Sequence, residues 1–170
     1  MAIIPQFFID AVVSIGIQTK ISTTWIGTGF LATRKIDSEG NAIPMLITNR
    51  HVVENQSMII LRFTDRNDGS LKEVPASLIE NEKPLYKTHP DSNVDIAVLQ
   101  LNAGFITENN FDFPAFDIDE HAMSSSDLRS KGVDEGSLVY MLGYPMGLVN
   151  VSSKLPICRL GCVARMSEIK

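Results

Sequence analysis

Short apolar segments separated by turn residues run through most of the chain. They are rich in β-branched and aromatic residues and recur about every eight to twelve positions, a spacing typical of an all-β sandwich or barrel. Strands are predicted over residues 11–17, 28–33, 43–48, 57–64, 71–79 and 94–101. Because these strands are enough to close a small antiparallel barrel, we expect a complete first barrel within residues 1–101.

In residues 102–170 the regular succession of predicted strands gives way to a polar loop, a short helix and two strands. Ser124 and Asp127 fit a capping-box start, which predicts a short helix from about Ser124 to Ser130. Strands are predicted at 137–143 and 155–165, with a turn at 144–147. An isolated hairpin is marginally stable in water, so a partial second barrel is expected whose apolar face needs partners. That face is predicted to contain Leu138, Tyr140, Leu142, Ile157, Leu160 and Val163.

Composition and charge exclude several classes of function. The chain has 170 residues and a net charge of −5, so it lacks the basic balance that usually marks nucleic-acid binding. No apolar run reaches 18 residues, which argues against a membrane span. The first ten residues carry no Lys or Arg and no small-residue cleavage site, so no signal peptide is predicted and a cytoplasmic location is expected.

Two ionisable residues stand at the ends of predicted core strands. His51 follows the apolar segment that ends at Thr48, and Asp95 begins the apolar run of the sixth strand. A carboxylate in that place is costly unless it is hydrogen-bonded, and His51 is the expected partner. Histidine titrates near neutrality and can take a proton from a hydroxyl, while a carboxylate on its other nitrogen fixes the tautomer.

Four sequence blocks carry a resemblance to a known family. They are Gly27–Ala32, Ile47–Val53, Ser92–Leu99 and, more weakly, Gly136–Pro145. In order and spacing they resemble the trypsin-like (chymotrypsin-fold) serine peptidases, in particular the bacterial branch. The resemblance implies a trypsin-like antiparallel double β-barrel, with His51 as the general base and Asp95 as the acid that orients it.

One member of the implied catalytic triad is missing from the sequence. The family carries its nucleophile in a Gly-x-Ser-Gly-Gly loop, and the sequence contains none. Ser124, Ser125 and Ser126 are not followed by Gly-Gly, so they do not replace it. Arg50 also departs from the small residue that commonly precedes the histidine, and a solvent-facing position would accommodate it. The chain is therefore expected to be inactive by itself.

Two hypotheses of function follow. In the first, the chain is the N-terminal part of a serine endopeptidase that acts on an extended polypeptide substrate. In the second, it is a native pseudo-peptidase that binds a strand-donating protein partner, or a second copy in a homo-oligomer, through the open second barrel. The pH dependence of any activity discriminates between them, because only a histidine-dependent peptidase has a rate to lose as pH falls.

The other reactive side chains are given structural interpretations. His89 is expected to be an ordinary loop residue and His121 a surface residue, and their spacings do not form a zinc motif. Cys158 and Cys162 lie four residues apart on one predicted strand, about 13 Å, which is too far for a disulfide, so buried or half-buried thiols are expected. No cofactor and no metal are implied. Gly27 and Gly29 are expected to serve strand twist or close packing.

Overall fold

The computed structural model of the chain describes residues 3–150 and 152–166. The strands are β1 (Val12–Gln18), β2 (Thr23–Lys35), β3 (Ala42–Thr48), β4 (Met58–Thr64), β5 (Leu71–Ser77), β6 (Ile79–Glu80), β7 (Lys83–Pro84), β8 (Tyr86–Thr88), β9 (Ala97–Gln100), β10 (Phe116–Asp117), β11 (Leu138–Gly143) and β12 (Ile157–Cys162). The helices are α1 (Gln6–Asp10), α2 (Arg50–Val53), α3 (Ala103–Glu108), α4 (Ile118–His121) and α5 (Ser125–Ser130), with a 3₁₀ turn at Pro145–Gly147.

Most strands belong to one curved sheet, here called the first sheet. Its hydrogen-bonded order is β5–β4–β1–β2–β3–β9–β8, and β10 joins β2 in parallel. The all-β prediction is confirmed, but the expected complete barrel is corrected, because β5 and β8 remain outer strands. The gap between β5 and β8 is here called the open seam. The chain between these two strands forms the hairpin β6–β7, at whose base Leu85 N–H donates to the Leu78 carbonyl at 2.8 Å.

The core fills the concave side of the first sheet. Alternate residues of the strands point inward, and Ile15, Leu31 and Leu46 are fully buried there. Glycines make room for this packing, as expected: a Cβ at Gly27 would lie 2.7 Å from Val52 Cγ1, and one at Gly29 would lie 2.7 Å from Leu46 Cδ1. The close approach at Gly27 seats α2 directly on β2.

Local signals predicted some elements better than others. The helix α5 has the expected capping box, in which Ser124 Oγ accepts from Asp127 N–H and the Asp127 carboxylate accepts from Ser124 N–H. The sixth strand is shorter than predicted and begins at Ala97, so Asp95 precedes it. The short helices α1 to α4 were not predicted, because four to six residues carry too little periodicity to reveal a helical face.

The hairpin β11–β12 exposes apolar side chains on both of its faces. Its register pairs Tyr140 with Leu160 and Gly143 with Ile157. Since strand side chains alternate between faces, Ile157 lies on the opposite face from Tyr140 and Leu160, and Val163 lies beyond the end of β12. The predicted single apolar face is therefore corrected. The exposed large residues of the hairpin are Leu138, Val139, Tyr140, Met141, Ile157 and Leu160.

The two cysteines also differ from expectation. Cys158 and Cys162 are free, and both are exposed rather than buried, because the hairpin face that carries them is uncovered within the described residues. No helix in residues 3–150 and 152–166 is long and apolar enough to cross a membrane.

Polar contacts tie the residues after β10 to the first sheet. Tyr144 N–H donates to Thr28 Oγ1 at 2.8 Å, and the buried Arg62 donates through Nη1 to the Asn150 carbonyl at 2.9 Å. Lys154 Nζ donates to the Asp10 carbonyl at 2.8 Å, and burial lowers the pKa of this amine to about 8. Because β10 itself belongs to the first sheet, the division of the chain at residue 101 stays a prediction.

Candidate active site

The local fold brings His51 to the rim of the first sheet. Strand β3 ends at Thr48, Asn49 is extended, and α2 turns the chain so that His51 faces outward. Val52 and Val53 are buried and anchor this single helical turn on the core, while 65% of the His51 side chain is exposed. The His51 backbone is thus fixed on the core while its ring stands at the surface.

The register of β3 and β9 brings Asp95 to the same place. Thr48 pairs with Ala97 in this antiparallel ladder, so Asp95, two residues before Ala97, emerges beside the turn that follows Thr48. His51 Nδ1 lies 2.5 Å from Asp95 Oδ2, and the His51 backbone N–H donates to Asp95 Oδ1 at 3.0 Å. The structure therefore brings together both site residues that the sequence predicted.

The geometry sets the state of this pair, which we call the dyad (His51 and Asp95). A carboxylate on Nδ1 requires the proton there, which leaves Nε2 as the open acceptor of a neutral ring. Hydrogen bonds from the His51 ring and then from its backbone N–H hold the pKa of the Asp95 carboxyl below its usual range. Its side chain is 40% exposed, so water shares in stabilising the charge that the sequence placed in an apolar setting.

Two further side chains reach from α2 to the loop that carries Asp95. Asn49 Nδ2 donates to the Asp95 carbonyl at 3.0 Å, and Arg50 Nη2 donates to the Ser92 carbonyl at 3.0 Å. Arg50 Nε also lies 3.5 Å from Glu54 Oε2, so the side chain is folded back over α2 and does not extend into solvent. Sequence reasoning missed both contacts, because α2 was not predicted and the path of the Asp95 loop has no local signal.

A cleft of about 440 Å³ opens beside the dyad. Its walls come from β2 and β3 on one side and from β11 and β12 on the other, and Asn49 and Ile96 border it at the dyad end. Thr28, whose role the sequence did not reveal, stands at its base, where its carbonyl accepts from Thr48 Oγ1 at 2.8 Å and its hydroxyl accepts from Tyr144 N–H. The cleft therefore lies between the first sheet and the hairpin.

Two of the three serines considered as substitute nucleophiles, Ser124 and Ser126, have hydroxyls engaged elsewhere. Ser124 Oγ caps α5 and lies 2.5 Å from Asp127 Oδ2 and 2.7 Å from Ser126 Oγ. This local network uses the hydroxyls to begin a helix. Within the described residues, no hydrogen bond joins any of them to His51.

The remaining histidines have structural contacts. His89 Nδ1 accepts from Asp91 N–H at 3.1 Å within its own loop, as expected. His121 is exposed, as expected, but it also packs on the rings of Phe7, Phe8 and Phe116 and accepts from Asp117 N–H at 2.9 Å. In the part of the chain that the structure describes, no cluster of three His, Cys, Asp or Glu side chains could hold a metal ion.

Comparison with known proteins decides the family. The sequence profile of the trypsin-like peptidase domain matches residues 27–168. The chain belongs to the trypsin-like peptidase domain family. The match spans the dyad, the cleft and the hairpin, and it confirms the resemblance carried by the four sequence blocks.

A solved structure supports the same fold. The crystal structure of the MamO protease domain from Magnetospirillum magneticum, in its apo form, superposes with a TM-score of 0.55 at 18% sequence identity. The alignment covers 92% of this chain and 61% of that chain, so this sequence spans about three fifths of the other domain's length. At this identity the similarity establishes the fold alone, which is the predicted trypsin-like β fold. No curated protein matches the sequence.

Proposed function

We propose that this trypsin-like domain serves peptide-bond hydrolysis of the serine-endopeptidase type, with His51 as the general base and Asp95 as the acid that orients it. The observation that carries the proposal is the contact of His51 Nδ1 with Asp95 Oδ2, which leaves Nε2 free to accept a proton. The cleft begins at the neighbours of these two residues, Asn49 and Ile96. Nε2 would take the proton of an attacking hydroxyl, Asp95 would stabilise the resulting imidazolium, and Nε2 would then protonate the leaving amine.

The substrate proposed for the cleft is an extended polypeptide with apolar side chains. Phe30, Ile47 and Ile96 line the cleft, and its exposed lining is mainly apolar. Partly exposed Phe30 and Ile96 would gain from burial against such a chain.

Hydrolysis also needs a nucleophile and an oxyanion hole. The sequence contains no Gly-x-Ser-Gly-Gly loop, which would supply both. We therefore propose that these 170 residues do not hydrolyse peptides by themselves, and that the hydroxyl is supplied by a serine outside them.

The test is the intact mass of the protein, purified from its source, after treatment with a fluorophosphonate probe. We expect one adduct on a serine outside residues 1–170, lost in the His51→Ala variant because the serine is no longer activated. His89→Ala is the matched control and should label normally, since His89 bonds only within its own loop. An unlabelled protein with a mass near 18.7 kDa would overturn the peptidase proposal.

A second candidate function, a binding module, is favoured by the hairpin. Leu138 is 68% exposed, Met141 is 67% exposed and Leu160 is 62% exposed, on two faces of β11–β12. Within the described residues each of these strands pairs only with the other, so both outer edges can accept a strand from a partner or a second copy. Light scattering should then detect self-association that Leu160→Lys reduces. A compact monomer that binds no apolar dye would exclude this function.

A further inference from the structure

The two residues before His51 join the base to the loop that carries the acid. Asn49 donates to the Asp95 carbonyl and Arg50 donates to the Ser92 carbonyl, each at 3.0 Å. We propose that Asn49 and Arg50 are positioning residues, which together fasten the Ser92–Asp95 loop to α2 and keep the Asp95 carboxylate on His51 Nδ1. This inference rests on the proposed roles of His51 and Asp95.

The Asn49 side chain bonds to the Asp95 loop and does not cap α2. It is the N-cap residue of α2, a position where an asparagine side chain usually accepts from an N–H of the first turn. Here it makes no such bond, and the N–H of His51 in the first turn is accepted by Asp95 Oδ1 instead. Asp95 therefore caps the helix that carries its partner, while Asn49 holds the backbone of Asp95. The start of α2 and the Asp95 loop are therefore joined by two hydrogen bonds, one accepted by the Asp95 carboxylate and one accepted by the Asp95 carbonyl.

Arg50 holds the same loop at a second point, three residues earlier. Its guanidinium meets the Ser92 carbonyl, and Glu54, one turn along the helix, lies 3.5 Å from its Nε. Its side chain is 29% exposed, which shows that most of this long chain lies against the protein. The Ser92 carbonyl is neutral, so charge pairing alone does not explain why the Arg50 guanidinium points at it. A role in holding the loop does explain it.

The Asp95 loop needs such contacts because the sheet does not hold it. Strand β9 begins only at Ala97, so Asp95 lies outside the ladder. The loop's own hydrogen bonds shape its turn, with Asp91 Oδ1 accepting from Asn93 N–H and the Asp91 carbonyl accepting from Val94 N–H, but they do not reach α2. Exposed ion pairs are usually loosely held, so burial does not fix the dyad either. The two side-chain contacts supply the constraint.

Nuclear magnetic resonance on the full 170-residue chain tests the proposal without needing catalysis. The readouts are the low-field resonance of the His51 Nδ1 proton, assigned by its absence in His51→Gln, and the pKa of the Asp95 carboxyl. In Asn49→Ala and Arg50→Met we expect the resonance to weaken or disappear. We also expect the pKa of Asp95 to rise by roughly half a unit or more, the equivalent of part of one hydrogen bond.

Matched controls separate position from general loss of a side chain. Asn109→Ala removes an asparagine whose Nδ2 donates to a backbone carbonyl at 2.9 Å elsewhere, and Arg66→Met removes an arginine 3.5 Å from a carboxylate, Asp112. Both should leave the two readouts unchanged. Asn49→Ser keeps a good N-cap but cannot reach Asp95, so it should behave like Asn49→Ala without weakening α2.

Charge is separated from geometry at position 50. Arg50 also favours the ionised form of Asp95 by its charge alone, and Arg50→Lys keeps that charge. If Arg50→Lys retains the wild-type pKa and Arg50→Met shifts it, with the resonance unchanged in both, Arg50 acts only through charge and its positioning role is overturned. A folded Asn49→Ala/Arg50→Met double variant with both readouts unchanged would overturn the whole proposal.

The two proposals fail in different ways. If the fluorophosphonate adduct is absent but Asn49→Ala and Arg50→Met lose the His51 Nδ1 proton resonance, the catalytic role of the dyad is wrong and the positioning role of the two residues is supported. If the adduct forms but the resonance survives in the double variant, the positioning role falls alone.

Discussion

The first sheet and the hairpin β11–β12 use apolar residues in opposite ways. In the first sheet Ile15, Leu31 and Leu46 are fully buried, whereas in the hairpin Leu138 is 68% exposed and Leu160 is 62% exposed. Both regions have strong strand-forming sequences, so local propensity does not separate them. The difference lies in what covers the strands. The first sheet curves over its own core, whereas within residues 3–150 and 152–166 the strands of the hairpin pair only with each other.

This contrast explains where the dyad lies. Both members of the dyad come from the first sheet and its connecting turns, where β3 and β9 are paired and α2 is seated on Gly27. The hairpin supplies the other wall of the cleft. Both members of the dyad are thus carried by the part of the fold that has a buried core.

The largest expected effect compares one leucine from each region. Leu46→Ala should lower the free energy of unfolding by about 2–5 kcal/mol, because it leaves a cavity in the core of the first sheet. Leu160→Ala, the same change on an exposed strand position, should stay within about 0.5 kcal/mol. Urea unfolding of both variants measures the difference, and equal effects would show that the hairpin is buried in solution.

The next effect concerns the junction of the two regions. A Cβ at Gly147 would overlap the Trp25 carbonyl oxygen in β2, and the backbone there has φ +68°. Gly147→Ala should destabilise the chain by about 1–3 kcal/mol, through both the clash and the strain. Gly136→Ala is the matched control, with φ +87° and nothing within 4 Å, so it reports the strain alone. Thermal unfolding that is equally affected by both would show that the 3₁₀ turn does not rest on β2.

Lys154 tests the same junction through pH. Its pKa is lowered to about 8 in the folded chain, below the ordinary 10.5, so between these values the unfolded chain binds more protons and stability rises with pH. Relative to Lys154→Met, the wild type should gain roughly 1–3 kcal/mol between pH 7 and pH 10. Asp10 and Asp112 are the charged groups that face this amine and oppose the shift. Lys131→Met, which changes an exposed lysine, is the control, and its curve of unfolding free energy against pH should run parallel to that of the wild type. If the Lys154→Met curve also runs parallel to the wild type, Lys154 is exposed to solvent.

The smallest effect is expected at the dyad. The pKa of Asp95 is lowered by its bonds to His51, so this carboxylate stabilises the fold above about pH 4, and the contribution is lost as pH falls through the folded pKa. The stability difference between wild type and Asp95→Asn should therefore vanish in acid, as followed by urea unfolding at several pH values. Asp112→Asn controls for the loss of an exposed carboxylate. A difference that persists at pH 2 would contradict the assignment.

The sequence predicted the contact between His51 and Asp95 better than the contacts around it. His51 and Asp95 were found because the sequence blocks that carry them, Ile47–Val53 and Ser92–Leu99, resemble those of a known family, and the register of β3 with β9 makes them neighbours. Asn49 and Arg50 were missed because their contacts depend on the path of a loop, which no periodicity encodes. The same holds for the open seam of the barrel, which results from a side hairpin at Ile79–Pro84.

The hairpin shows a different kind of limit. Alternation of apolar residues predicted both strands, but only the register decides which residues share a face, and Ile157 was assigned to the wrong one. Exposure of Cys158 and Cys162 follows from the lack of a covering layer over their face within the described residues, a tertiary property that a local pattern cannot reveal.

Hydrogen exchange of the backbone amides tests the central claim most directly, that the strands beside the dyad are fixed by a buried core while the strands of the hairpin are not. The account predicts that amides of β2, β3 and β9 exchange only through global unfolding, and that those of β11 and β12 exchange much faster through local opening. Equal protection in both regions, or slower exchange in the hairpin, would contradict it.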